Sequence, residues 1–204
     1  MIYRIEETTS TNDDARDAKY RHGDIVWAER QTAGRGQRGH TWTSAEGENL
    51  TFSVVVCPLF LPVGEQFLLS EAVALALTDT FAQAGIETRI KWTNDIYAGD
   101  RKLVGILIEH SYSGPTLDRT VVGIGINVNQ TQFDPALPNP VSMAAAAGST
   151  AAKCSKPSAN GSKPATRNSK RAPPKPCSAT TANACTDWAG AARSASPTAR
   201  RSGP

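Results

Sequence analysis

Long hydrophobic runs are missing from this sequence. No stretch approaches the ~18 consecutive apolar residues of a bilayer span, so no segment is expected to cross a membrane. The opening MIYRIEETTSTNDD has no apolar core behind a basic start, and no secretory signal is expected. Cysteine is scarce too: of four, only Cys57 falls in a strand-like run, SVVVC. Cys154, Cys177 and Cys185 lack metal-site spacing and have no histidine nearby, which points to a reduced cytoplasm.

The other deficit is regional. After Met143 there is no Ile, Leu, Val, Phe, Met or Tyr, and Trp188 is the one large apolar residue. Such a segment cannot bury enough apolar surface to offset its ordering entropy. Residues 144–204 are therefore predicted to be a disordered basic tail rich in Ala, Ser, Pro, Lys and Arg. The net charge of +3 averages two unlike parts. Residues 1–143 carry 12 Lys and Arg against 18 Asp and Glu, net −6, while 144–204 carry 10 against 1, net +9. At 204 residues there is room for one domain with an appendage.

What is there reads as an α+β domain over 1–143. Residues 2–6, 24–29, 49–57, 87–92 and 119–129 have strand character, and DIYAG with RKLVGILIEHSY flanks a tight turn at Gly99-Asp100. A helix is expected from Ser10 or Thr11 to Gly23, with Asp13 and Asp14 at its positive end. A longer one is expected over 64–84, with Leu68, Ala72, Leu75 and Leu69, Val73, Ala76 on adjacent faces. Sequential hairpins give a mixed, largely antiparallel sheet with helices to one side.

Four stretches carry chemistry. QTAGRGQRGHTW (31–42) contains G-x-G-x-x-G, yet a strand follows the loop where a dinucleotide fold needs a helix. No protein-kinase HRD or DFG follows, and no G-x-x-x-x-G-K-[ST] exists. What remains is a strand–loop–strand in which Arg35 and Arg38, among glycines that let the backbone approach a ligand, suit phosphate. The plain alternative is an exposed basic turn. In KWTNDIYAGDRKLVGILIE (91–109), Asn94 and Asp95 could orient Mg²⁺ or its waters. Lys102 could neutralise charge developing on a phosphoryl group. The alternative is an ordinary hairpin with a lysine at a strand edge. Gly123 and Gly125 in GIGINVN weaken a strand unless something approaches the backbone, and a β-bulge explains them equally well. STN (10–12) reads as a helix cap or as hydroxyls holding a small polar group.

In this order, STN, QTAGRGQRGxxW, KWxNDI, DRKLxGILxE and GIGINVN closely resemble the catalytic domain of the biotin protein ligases over about residues 8–143. The resemblance implies the biotinyl/lipoyl protein ligase fold, of class II synthetase type. It implies biotin and ATP as substrates, with Mg²⁺, and a biotin carboxyl carrier protein, a subunit of acetyl-CoA carboxylase, as acceptor. Ser10, Thr11, Asn12, Gln31, Gly34, Arg35, Gly36, Lys102 and Gly105 then correspond to biotin contacts. Arg35, Gln37, Arg38, Trp42, Asn94 and Asn127 correspond to the ATP and adenylate side, and Asp95 to the metal. Lys102 and Arg35 become the catalytic pair. Gln37 stands where many members carry Arg, and Thr93 where Pro is usual. Relatives continue past NPVSM with apolar helix and strand, so 144–204 is read as out-of-frame translation of a GC-rich gene. No DNA-binding domain is expected, and a homodimer is left open. Three alternatives stay open: a lipoate–protein ligase, a noncatalytic binder of biotin or nucleotide, and a basic RNA-binding protein driven by the tail.

Overall fold

The computed structural model describes residues 1–147. Seven strands form one sheet: β1 (Ile2–Thr8), β2 (Ile25–Gln31), β3 (Leu50–Val56), β4 (Arg89–Lys91), β5 (Asp95–Ala98), β6 (Arg101–Ser113) and β7 (Thr116–Ile126). Their spatial order is β1-β2-β3-β7-β6-β5-β4, with β1–β2 parallel and every other pair antiparallel. Two helices, α1 (Thr11–Asp14) and α2 (Phe67–Gln83), complete the framework. The α+β reading with a mixed, largely antiparallel sheet holds. Among the described residues, no helix is long and apolar enough to cross a membrane.

Strand side chains alternate between faces, and this alternation divides the molecule. Phe52, Val54 and Val56 of β3, Ile106 of β6, and Val122, Ile124 and Ile126 of β7 join one large core. Helix α2 covers that core with Val73, Ala74, Leu77 and Phe81. On the other face Val26, Val55 and Val121 meet Ala15 and Tyr20 from the segment after β1. The two helical segments therefore lie on opposite faces of the sheet, not to one side. Of the apolar positions expected on α2, Val73 is buried, whereas Leu68 and Leu75 are 50% and 56% exposed. The buried stripe turned inward is 73, 74, 77 and 81.

The first helix is shorter than its pattern predicts. It stops after one turn because its continuation is held in turns by Arg119 of β7. That guanidinium donates to the carbonyls of Ala15 and Asp17 at 2.8 Å and of Tyr20 at 2.9 Å. Ser10 is the N-cap, though its side chain makes no cap bond. Register irregularities fall at Ile96/Tyr97 and Ser111/Tyr112, so no bulge sits at Gly123 or Gly125.

The chain beyond β7 returns to the sheet. Lys102 N–H donates to the Asn139 carbonyl at 2.8 Å, and Val141 N–H donates to the Lys102 carbonyl at 2.9 Å. A helical turn follows at 143–147, and its Ala146 is 7% exposed in the large core. The boundary expected at 143/144 thus falls inside that turn, and the rest of the expectation for the tail lies outside the described residues.

Candidate active site

The face of the sheet under α2 is aliphatic, whereas the opposite face joins a small apolar cluster around Val26, Val55 and Val121 to a polar stretch. Thr51 and Ser53 of β3 share it with Gly123 and Gly125 of β7, paired in register as Thr51↔Gly125 and Ser53↔Gly123. Gly105 of β6 lies directly opposite Gly125. The missing side chains leave a floor that other groups occupy closely. A Cβ on Gly123 would collide with the Asn12 carboxamide, and one on Gly125 with the Trp42 indole. One on Gly105 would stand 2.8 Å from Trp42 Cζ3. Close approach, not a bulge, accounts for these glycines.

Above the floor is a cavity of about 510 Å³. Its walls come from four places: STN at the start of α1, the glycine-rich loop, the 91–95 stretch and the start of β6. Within it the structure brings together Ser10, Thr11, Asn12, Gln31, Arg35, Gly36, Gln37, Arg38, Trp42, Asn94, Asp95, Lys102 and Gly105 from the sequence-derived set. The two cations expected to do the chemistry, Arg35 and Lys102, thus share one cleft.

A polar network fixes the end of the cavity near α1. Gln31 Oε1 accepts from Thr11 N–H at 2.8 Å and from the Thr11 hydroxyl at 3.1 Å. Ser53 Oγ lies 2.8 Å from Thr11 Oγ1 and 2.6 Å from Asn12 Oδ1. Asn12 Nδ2 donates to Glu109 Oε2 at 2.8 Å. Ser10, Thr11, Asn12 and Ser53 are all buried, and buried polar groups cost least when bonded like this.

The loop is itself a small hairpin. Trp42 N–H donates to the Gly34 carbonyl at 2.9 Å and Gly36 N–H to the His40 carbonyl at 2.6 Å. Its tip turns through Arg38, at φ 54°, and Gly39, at φ 79°. Gly34 is buried and does not line the cavity; a side chain there would strike the Trp42 carbonyl, so its role is to let the hairpin close. Trp42 lies over the glycine floor, with Lys102 Nζ 5.8 Å from its ring centroid.

At the far end, Lys102 Nζ forms an ion pair with Asp95 Oδ1 at 2.8 Å, off the alignment a hydrogen bond requires. Asn94 Nδ2 donates to the Ile106 carbonyl at 2.7 Å, which pins the 91–95 stretch to β6. Thr93 Oγ1 lies 3.4 Å from Gln37 Oε1, so the two departures from the usual family pattern face each other across the cleft. Lys91 donates to the Tyr97 hydroxyl at 2.9 Å, a bond that holds its ammonium pKa above the usual value.

Two assignments meet a different geometry. Asn127 is buried away from the cavity, where its Nδ2 donates to the Val141 carbonyl at 3.2 Å and its own carbonyl accepts from Met143 N–H at 2.9 Å. It anchors the returning chain. Asp95 faces Lys102, and among the described residues no cluster of three acidic, histidine or cysteine side chains could hold a metal ion. Mg²⁺ commonly takes one or two protein carboxylates plus phosphate oxygens. Asp95 could serve as that single carboxylate, with the nucleotide supplying the rest.

Sequence reasoning passed over Thr51, Ser53, Asp13 and Glu109. The alternation in LTFSVVV, with polar residues at 51 and 53, was the available signal for the first two. Glu109 closes the DRKLxGILxE motif without an evident role in one dimension.

The sequence model of the biotin/lipoate A/B protein ligase family matches residues 1–127. The chain is 38% identical over 137 residues to the bifunctional ligase/repressor BirA of Bacillus spizizenii, covering 66% of this chain and 42% of that protein. It is 36% identical over 153 residues to the biotin–[acetyl-CoA-carboxylase] ligase of Mycobacterium tuberculosis, covering 70% and 56%. Among solved structures it resembles the Aquifex aeolicus biotin protein ligase in complex with biotin and ATP. That match has a TM-score of 0.60 and 30% identity over 69% of this chain and 58% of the other. The chain thus spans about half the length of the relatives it matches.

Proposed function

The chain belongs to the biotin/lipoate A/B protein ligase family, and on that premise we propose that it is an ATP-dependent biotin protein ligase. In the first step a biotin carboxylate oxygen attacks the α-phosphorus of ATP. The bond to the bridging oxygen breaks, pyrophosphate leaves, and biotinyl-5′-AMP forms. In the second step the neutral ε-amine of an acceptor lysine attacks the anhydride carbonyl. AMP leaves, an amide forms, and the amine gives up a proton. The acceptor is a lysine of a biotin carboxyl carrier protein.

The observation that carries this reading is the shared cleft of Lys102 and Arg35 above a glycine floor. A carboxylate approaching a polyphosphate needs fixed positive charge where negative charge accumulates, and a site already organised spends nothing on reorganisation during the reaction. Lys102 is organised in this sense: its backbone is clamped between Asn139 and Val141, and Asp95 holds its ammonium. The Gln31–Thr11–Ser53–Asn12 network offers hydrogen-bonding groups suited to a small polar head group. Trp42, seated on the glycine floor, offers a flat apolar surface to the ligand's body, and with the loop it keeps water from a reactive anhydride. Asp95, now paired with Lys102, would be the carboxylate to hold Mg²⁺ brought by ATP, and the metal would supply neutralisation of phosphate charge.

The test is biotin-dependent ATP–pyrophosphate exchange with the full chain, run in parallel with lipoate, followed by the mass of a carrier domain. Biotin should drive exchange and add one biotinyl group to the carrier. Lys102→Ala should lower exchange by about 10²–10³-fold, the usual cost of one charge-stabilising donor. Exchange driven by lipoate alone would move the assignment to the lipoate branch, and biotin binding without exchange would make the chain a binder.

A further inference from the structure

The glutamate that closes the DRKLxGILxE motif sits outside the cavity lining, yet it touches both the glycine-rich loop and the Asn12 end of the floor. Glu109 Oε2 accepts from Asn12 Nδ2 at 2.8 Å, and Asn12 packs against Gly123 on the floor. The same carboxylate receives Arg35 of the glycine-rich loop, Nη1 at 3.2 Å to Oε1 and Nη2 at 3.1 Å to Oε2. Arg16 donates to Oε1 at 2.7 Å, and Asp13 Oδ1 takes Arg35 Nη2 at 2.6 Å. Glu109 is 22% exposed against 40% for Arg35, so the carboxylate is the more buried member of the pair. Alternation along β6 puts Glu109 on the same face as Gly105 and Leu107, one strand position beyond the cavity wall.

We infer that Glu109, seconded by Asp13, is a positioning residue that tethers the glycine-rich loop through Arg35 and links its placement to the Asn12 end of the floor. A loop rich in glycine loses much conformational freedom when ordered. A bidentate carboxylate fork at its first arginine supplies a directional anchor for it. Three guanidinium donors are engaged by Glu109 and Asp13, and the remaining N–H groups are free to meet an anion in the cleft. The tether therefore keeps Arg35 beside the site before any ligand arrives. The inference rests on the ligase reading for its kinetic consequence but not for the tether itself.

Limited trypsin digestion of the full chain without ligand tests the tether, because trypsin must take the Arg35 side chain into its own pocket. Cleavage after Arg35, followed by mass spectrometry, should quicken roughly threefold in Glu109→Gln, the scale of one exposed ion pair. Gln keeps an acceptor for Asn12 but loses the charge. Glu109→Asp should return the rate toward the parent, and Glu7→Gln, which breaks a surface pair with Arg30 elsewhere, should leave it unchanged. Cleavage of Glu109→Gln at the parental rate overturns the inference. If that variant fails to unfold cooperatively, Asp13→Asn decides in the same way, since the exposed Asp13 can be changed without touching the core. In biotin-dependent exchange, Glu109→Gln should lower kcat/KM for ATP about threefold and Glu109→Asp should restore most of it, and exchange by Glu109→Gln at the parental kcat/KM counts against it. A parent chain with no exchange at all would sink the ligase reading while the proteolysis arm still judges the tether.

Discussion

Single glycines do the most specific work in this fold. Gly105 and Gly125 face each other across β6 and β7, and the Trp42 indole lies on both. In Gly125→Ala the new methyl would overlap the indole, and a ring packed between strand and loop has no small adjustment that clears it. The ring should leave the floor, so tryptophan emission should change and biotin affinity should fall at least tenfold, about 1.4 kcal/mol. Gly64→Ala, where a Cβ meets nothing within 4 Å, should do neither. An unaltered emission spectrum and Kd for Gly125→Ala would mean that Trp42 seated on this floor does not shape the ligand's place. The sequence marked these glycines as places where something must come close, because a strand interior gains nothing from glycine otherwise. It could not name Asn12 and Trp42 as the visitors. Each is brought there by pairing between segments far apart in the chain, and no local pattern encodes that.

At the scale of elements, legibility followed how far each one depends on its neighbours. The β6–β7 hairpin and the turn at Gly99 carry their own instructions in alternation and turn residues; the turn stands where expected, and β7 forms at Thr116–Ile126, three residues ahead of the 119–129 read from the sequence. Helix α2 has its limits written in its sequence but not its inward face. Its apolar residues run nearly all the way round, and only the sheet decides that Leu77 is buried and Leu75 is not. Leu77→Ala should therefore cost about 2–5 kcal/mol from lost transfer energy and a residual cavity. Leu75→Ala should stay within ~0.5 kcal/mol. Urea midpoints at constant m-value measure both, and equal losses would mean that the register of α2 on the sheet is wrong. The segment after Ser10 misled for the opposite reason. Its caps and acidic first turn favour a helix, but Arg119 takes the carbonyls that a longer helix would use. A tertiary contact from β7 outweighed a local preference worth a few tenths of a kcal/mol per residue. The motif order led to one cleft because each motif falls at the end of a strand or in a loop that meets the same face. Asn127 escaped that logic: it belongs to a motif, but its side chain is turned to the returning chain at Val141.

Over the whole molecule the sheet acts as a partition. One face carries the aliphatic core under α2; the other carries the smaller cluster of Val26, Val55 and Val121 and, beside it, the glycine floor, the hydroxyls and the charges. Strand alternation enforces the separation at every residue, so a change on one face need not disturb the other. Phe81→Leu thins the α2 side, where Phe81 is 2% exposed. Ser53→Ala removes a hydroxyl that links Thr11 to Asn12 on the ligand side. The two residues share no bonding partner and lie on opposite faces, so their stability losses should add to within ~0.3–0.5 kcal/mol in the double variant. Their functional effects should separate as well: Ser53→Ala should weaken biotin binding, whereas Phe81→Leu should lower the unfolding midpoint and leave Kd unchanged. Denaturant unfolding and biotin titration on the two single variants and the double variant measure this. A coupling above ~1 kcal/mol, beyond what independent sites show, would mean that strain passes through the sheet. The α2 face would then be part of the binding apparatus rather than its support.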